Sequence, residues 1–171
     1  MRRATVSLQI FTFKEGLLSA VAHDLRLGLA PFPIELDGET VRVRVPLGSL
    51  RVDGAVRDGV IQPGTLDGRQ RADIERAALK DVLRADRYPT FEFDGIAVPR
   101  GAAFDVRGDL ALAGRSAPVT FTMEGDGRAY QGHFAFRPSA WGIQPYRALL
   151  GAIRLQDHVR IELTATEDPP S

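Results

Sequence analysis

Three histidines, His23, His133 and His158, are the side chains of this sequence best suited to proton transfer or metal ligation at neutral pH, and two have an aspartate neighbour: Asp24 follows His23 and Asp157 precedes His158. A metal site needs several nitrogen, oxygen or sulfur donors converging on one point. Adjacent residues of a strand point to opposite faces, so neither His-Asp dipeptide makes a site alone. The chain has no cysteine, which removes disulfides, thiolate ligands and a cysteine nucleophile. No Gly-x-Ser-x-Gly elbow, glycine-rich phosphate loop or His-Glu-x-x-His motif occurs. Asp105 and Asp109 share the polar face of a strand, where solvation accounts for both carboxylates. No catalytic constellation emerges from these residues, and neither a cofactor nor a metal is expected.

What remains is apolar surface spaced by two. Phe104, Val106, Leu110 and Leu112 alternate with Asp105, Arg107 and Asp109, and after Gly114 the alternation resumes with Val119, Phe121 and Met123 against Thr120, Thr122 and Glu124. A period of two is that of a half-buried strand, and glycine supplies the positive φ of a tight reversal, so this stretch predicts an antiparallel hairpin. The same pattern recurs at Val6, Leu8 and Ile10, at Leu25, Leu27 and Leu29, at Val41, Val43 and Val45, and at Phe91 and Phe93. It returns at Tyr130, Phe134 and Phe136 and at Val159, Ile161 and Leu163, with Trp141 in a loop or short helix between these two. Asp37-Gly38 marks a further hairpin turn.

Two stretches break the pattern. Gly48 to Asp67 is crowded with Asp-Gly and Pro-Gly turns and reads as a loop excursion with a short strand at Leu50 and Val52. From residue 67 to about 84 the period changes: Ile74, Ala78 and Val82 lie four apart, joined by Leu79 and Leu83, which predicts one amphipathic helix opened by an Asp67–Gln70 capping box. Gly16–Ala22 reads as a short helical turn closing one end of a sheet. About eight strands with one inserted helix make an all-β antiparallel barrel or sandwich.

Composition bounds the function. The 171 residues suit a single domain over 1–171, with its ordered part at about 4–166. Twenty-two basic residues balance 22 acidic ones, so no nucleic-acid partner is expected. No apolar run approaches the roughly 18 residues of a membrane-spanning helix, so an integral membrane protein is not expected. Arg2-Arg3 and Ala20-Val21-Ala22 imitate an export signal, but Gln9, Lys14, Glu15 and Gly16 interrupt its apolar middle. A cytoplasmic location is the expectation.

Several pieces in order resemble the YceI-like family, whose fold is lipocalin-like and whose members bind polyisoprenoid lipids. Asp86-Arg87-Tyr88-Pro89-Thr90-Phe91-Glu92-Phe93 resembles the family's "dkYPtitF". Val106 to Gly114 is similar to its "vtGdLtirG", Ala117-Pro118-Val119 to its "kPv", and Ser139 to Ile143 to its "sdfGl" loop. His23 falls where the family has a histidine after its first strand. The likeness spans roughly Val6 to Ala165.

The resemblance implies a single antiparallel β-barrel of lipocalin-like shape holding a long-chain isoprenoid or other lipid. The ligand-contacting residues it implies are His23, Leu25, Leu27, Phe91, Phe93, Val106, Leu110, Phe121, Met123, Phe134, Phe136 and Trp141, with His23 near the mouth to hydrogen-bond a polar end. Two rivals stay open: a small enzyme or metal-binding barrel using His23 and Asp24, and a solid-core barrel whose surface binds another protein. Whether the chain forms a homodimer also stays open.

Overall fold

A computed structural model describes residues 1–15, 23–148 and 153–169. Twelve strands form one continuous antiparallel sheet: β1 (Arg2–Glu15), β2 (Asp24–Gly28), β3 (Phe32–Asp37), β4 (Thr40–Pro46), β5 (Arg51–Arg57), β6 (Val60–Ile61), β7 (Thr90–Arg100), β8 (Ala103–Leu112), β9 (Arg115–Gly125), β10 (Ala129–Phe136), β11 (Arg147–Ala148) and β12 (Ile153–Glu167). Pairing of β12 with both β10 and β1 closes eight of them into a barrel in the order β12-β10-β9-β8-β7-β4-β3-β1. The fold is therefore the all-β closed barrel that the alternation and the resemblance pointed to, carrying one helical insertion. The segment Gly16–Ala22 lies outside the described residues.

Closure follows from the sequence pattern. Even-numbered residues of β1, from Ala4 to Thr12, and odd-numbered residues of β12, from Val159 to Ala165, pair across the seam and face inward together. Their odd- and even-numbered neighbours, such as Thr5 and Thr164, face solvent. Charges gather on the outer wall as cross-strand pairs, Arg44 with Glu92 at 2.7 Å and Arg100 with Asp105 at 2.8 Å among them. Carbon inside and charge outside is the arrangement of a barrel in water, and the reverse of one immersed in lipid. Among the described residues, no helix is long and apolar enough to cross a membrane.

The barrel is built as two four-stranded halves. Within β9-β8-β7-β4 and within β3-β1-β12-β10 the strands are registered over long stretches. Between the halves, registration is confined to one end: Leu36–Val41 and Asp37–Thr40 join β3 to β4, while Gly125–Tyr130, Glu124–Gln131 and Met123–Gly132 join β9 to β10. Both seams are zipped at this hairpin end and splay toward the other. There, among the described residues, one hydrogen bond spans each gap. Ala30 N–H donates to Ser49 Oγ at 3.0 Å, and Trp141 Nε1–H donates to the Leu110 carbonyl at 2.7 Å.

The splayed end carries the helix. Residues 48–67 form more sheet than their turns suggest: β2 leaves the wall beside β1, pairs with β5, and β5 turns back into β6 through Asp58 and Gly59, both at positive φ. Asp67 then caps helix α1 (Gly68–Ala77), accepting from the Gln70 N–H at 2.8 Å while Gln70 Oε1 accepts from the Asp67 N–H at 2.9 Å. A π-helical turn over Ala78–Val82 continues it, so the helix ends close to the position its periodicity predicts. Ile74, Ala78, Leu79 and Leu83 pack on Leu25, Leu27, Leu50 and Val52, and Val82 and Leu83 also reach the cluster around Trp141 and Ile143. This helical segment lies over the splayed end of the barrel.

Candidate functional site

The barrel is not solid. A lumen of about 340 Å³ runs from Arg2, Leu36 and Tyr130 at the hairpin end to Leu29, Val82, Pro138 and Ile143 at the helix end. Its wall is carbon along the middle: Val6, Leu8 and Ile10 from β1, Val106 and Leu110 from β8, and Ile161 and Leu163 from β12. Among the described residues, polar side chains stand only near its ends: Arg2, Arg3, Tyr130 and Glu167 at one, and Thr12 at the other.

Glycines leave room for the space. Gly95 of β7 and Gly108 of β8 face each other across the sheet, and the Phe93 ring reaches over both, its Cζ 2.8 Å from where either glycine's Cβ would stand. The Met123 sulfur rests in the same way on Gly132, and the Tyr130 ring on Gly125. With no Cβ in the way, these large side chains fold down along the wall, and the backbones approach closely. Farther along, the Phe121 and Phe134 rings stack at 5.0 Å across the splayed β9–β10 seam, and the edge of Trp141 meets Phe136 at 5.0 Å.

At the hairpin end the rim is charge-balanced. Arg2 lies 3.7 Å from Glu167 and stacks over Phe104 at 5.9 Å, and Arg3 lies 3.0 Å from Glu35. Tyr130 packs edge-on to Phe104 at 5.3 Å, and its removal from water holds the phenol above its usual range.

Of the residues singled out from sequence, Leu27, Phe91, Phe93, Val106, Leu110, Phe121, Met123, Phe134 and Phe136 all line this lumen. Trp141 is buried just behind Phe136, and Leu25 is buried beneath the helix; neither is in the lumen wall. His23 is half-buried and also stands outside the wall. The Asp24 carboxylate accepts from the Lys14 N–H at 2.8 Å, which ties the irregular end of β1 to β2. His133 and His158 are exposed, and the His158 ring packs on Phe13 at 5.3 Å. Among the described residues, no group of three His, Cys, Asp or Glu side chains could hold a metal ion. The residues singled out from sequence omit most of the wall, notably Val6, Leu8, Ile10, Ile161, Leu163 and Ala165, although their alternation was plain. Nothing in the sequence could single out Gly95 and Gly108, whose pairing appears only once β7 and β8 are in register.

Comparisons with known proteins agree with this geometry. No curated protein matches the chain by sequence. Its fold is similar to that of a polyisoprenoid-binding domain from Saccharophagus degradans implicated in plant cell wall breakdown, at a TM-score of 0.64 and 8% identity over 98% of each chain. It is similar also to BcnA of Burkholderia cenocepacia, at a TM-score of 0.56 and 15% identity over 94% of each chain. The model of the YceI-like domain matches residues 12–166, which include every wall strand at least in part, and the chain belongs to that family.

Proposed function

We propose that this protein is a binding module, not an enzyme, that holds the hydrocarbon tail of a long-chain isoprenoid or similar lipid inside its barrel for carriage or storage. The observation that carries this reading is the lumen itself: about 340 Å³ of space with a carbon wall between two polar ends. Membership of the YceI-like family and the likeness to a domain described as polyisoprenoid-binding support the same ligand class. The driving force is ordinary. Each CH₂ moved out of water contributes about 0.8 kcal/mol, so a tail of several isoprene units has ample reason to enter a tube walled by carbon along its middle. The rings that rest against glycines leave the tube open, and the balanced rim marks where chain meets solvent. Extraction of the purified protein with organic solvent, followed by mass spectrometry, tests the reading. An isoprenoid lipid in near-equal amount to protein is expected; protein that carries no lipid and takes none up when incubated with isoprenoids would refute it.

A further inference from the structure

Ion pairs are unevenly placed on this barrel. Eight arginines, Arg2, Arg44 and Arg100 among them, are paired with a carboxylate, but Arg84, Arg87, Arg115 and Arg137, all exposed, have no ion pair among the described residues. Packing arranges these cations instead. Arg84 and Arg87 lie over the Tyr88 ring, 5.3 and 5.5 Å from its centre, and Arg84 also donates to the Ala113 carbonyl at 3.2 Å. Tyr88 in turn rests against Gly114, where a Cβ would come within 2.5 Å of its ring. Arg115 lies over Gly142 in the same way, its Cζ 2.9 Å from where a Cβ would stand. Arg84 holds a positive φ that glycine would adopt without strain, so a cation is kept there against the backbone's preference. Like charges gathered without counter-charges repel one another, and an anion brought to them relieves that repulsion.

The position of the patch decides what kind of anion this is. Arg84 follows Leu83, Arg115 pairs across the β8–β9 hairpin with Leu112, and Arg137 stands between Phe136 and Pro138, so three of the four adjoin residues that line the lumen. The patch therefore borders the helix end of the lumen. Asp157, close to Arg137, is engaged by Ser139, and Asp81 and Asp86 form no ion pair with the four arginines among the described residues. The cations stand on separate elements, the end of the helical segment, the β8–β9 turn and the end of β10, and do not converge on one small anion. Cations spread around the end of an apolar tube match an array of anionic headgroups over hydrocarbon. Because the whole chain is neutral, such attraction depends on local placement alone. We propose that the helix end of the barrel docks on an anionic lipid surface through Arg84, Arg87, Arg115 and Arg137, with Tyr88 at the level of the headgroups. The docking stands on the patch itself; its use, passage of a tail between bilayer and lumen, rests on the lipid-binding reading above.

The test is sedimentation of the delipidated protein with vesicles of phosphatidylcholine, alone or with about 30 mol% phosphatidylglycerol, at low salt. Binding should require the phosphatidylglycerol and should vanish in about 0.5 M salt, where surface charges are screened. Each cation near such a surface is worth roughly fivefold in partitioning, so Arg87→Gln combined with Arg137→Gln should weaken binding about 25-fold. Arg107→Gln combined with Arg128→Gln removes the same charge toward the hairpin end and should bind vesicles like the parent. All four positions are exposed and none lines the lumen, so both double variants should melt and take up farnesol as the parent does. Equal losses in the two double variants, or equal binding to vesicles with and without phosphatidylglycerol, would overturn the docking face. A poly-glutamate peptide that binds the parent when vesicles do not would assign the patch to an acidic protein and overturn the lipid surface. Protein that docks on vesicles yet takes up no farnesol in their absence would overturn the lipid-binding reading and leave the docking face standing.

Discussion

Adding one methyl group at Gly108 should close the lumen from its wall. A Cβ there would sit 2.4 Å from the Asp94 carbonyl oxygen, 2.6 Å from the Gly95 Cα and 2.8 Å from the Phe93 Cζ. The first two are backbone atoms about 1 Å short of ordinary contact, so β7 and β8 must part locally. The third is a ring that must lift off the wall, and the only free space is the lumen. Overpacking of this kind costs about 1–3 kcal/mol, which for a domain of this size lowers Tm by roughly 2–12 °C. Lifting Phe93 also takes space from the ligand. If it displaces the equivalent of two CH₂ groups, the loss is about 1.6 kcal/mol, or more than tenfold in affinity. The assay is thermal unfolding of delipidated Gly108→Ala together with its affinity for farnesol. Gly48→Ala is the control, because a Cβ there meets nothing within 4 Å and the backbone is unstrained. A Gly108→Ala protein that melts and binds like the parent would refute the claim that glycines hold the lumen open.

Other perturbations separate wall from core. Phe93→Ala should cost clearly less than the roughly 3–5 kcal/mol of a full core truncation, because one face of its ring already borders empty space, and should weaken lipid binding; urea unfolding with and without lipid reads both. Trp141→Phe keeps the contact with Phe136 but leaves the Leu110 carbonyl without its donor, so about 1–2 kcal/mol of stability should go, and lipid should dissociate faster through the less tightly fastened β9–β10 seam, as measured by stopped-flow release. Asp67→Ala removes the capping box and should cost about 1 kcal/mol in urea unfolding. Asp157 accepts hydrogen bonds from the Ser139 hydroxyl and N–H, which hold its carboxyl below the usual 3.8. Its contribution is thus complete above that value and lost as pH falls through the lower folded value, and Asp157→Asn should flatten the acid limb of a Tm-against-pH curve.

The wall was legible because its physics is local. Val106, Leu110, Phe121 and Phe134 face inward for the reason that put them on one face of an alternating run, and Asp67 with Gln70 announced the helix start three residues apart. What the sequence concealed depends on register. Gly95 and Gly108 lie thirteen residues apart and matter only because they face each other across the sheet. Strands β5 and β6 hide among Asp-Gly turns; β5 is bulged near Asp53, where its pairing with β2 slips between Arg26 and Leu27. His23 invited a role because it adjoins an apolar run, yet it stands outside the barrel wall, and Leu25 goes under the helix instead of into the lumen. Thr12 drew no notice, since a threonine on a strand is ordinary until its hydroxyl proves to be buried without a partner among the described residues.

Calorimetric titration of the delipidated protein with farnesol at several temperatures tests the central claim most directly. Burial of a hydrocarbon tail in the lumen predicts saturable binding of one lipid per barrel with a distinctly negative heat-capacity change. The signal should vanish in Val106→Trp, where a large side chain on β8 fills the space beside Phe121 while circular dichroism confirms the sheet. Binding that fails to saturate, or a folded Val106→Trp protein that takes up lipid as readily as the parent, would place the lipid on the outside of the barrel and contradict the account.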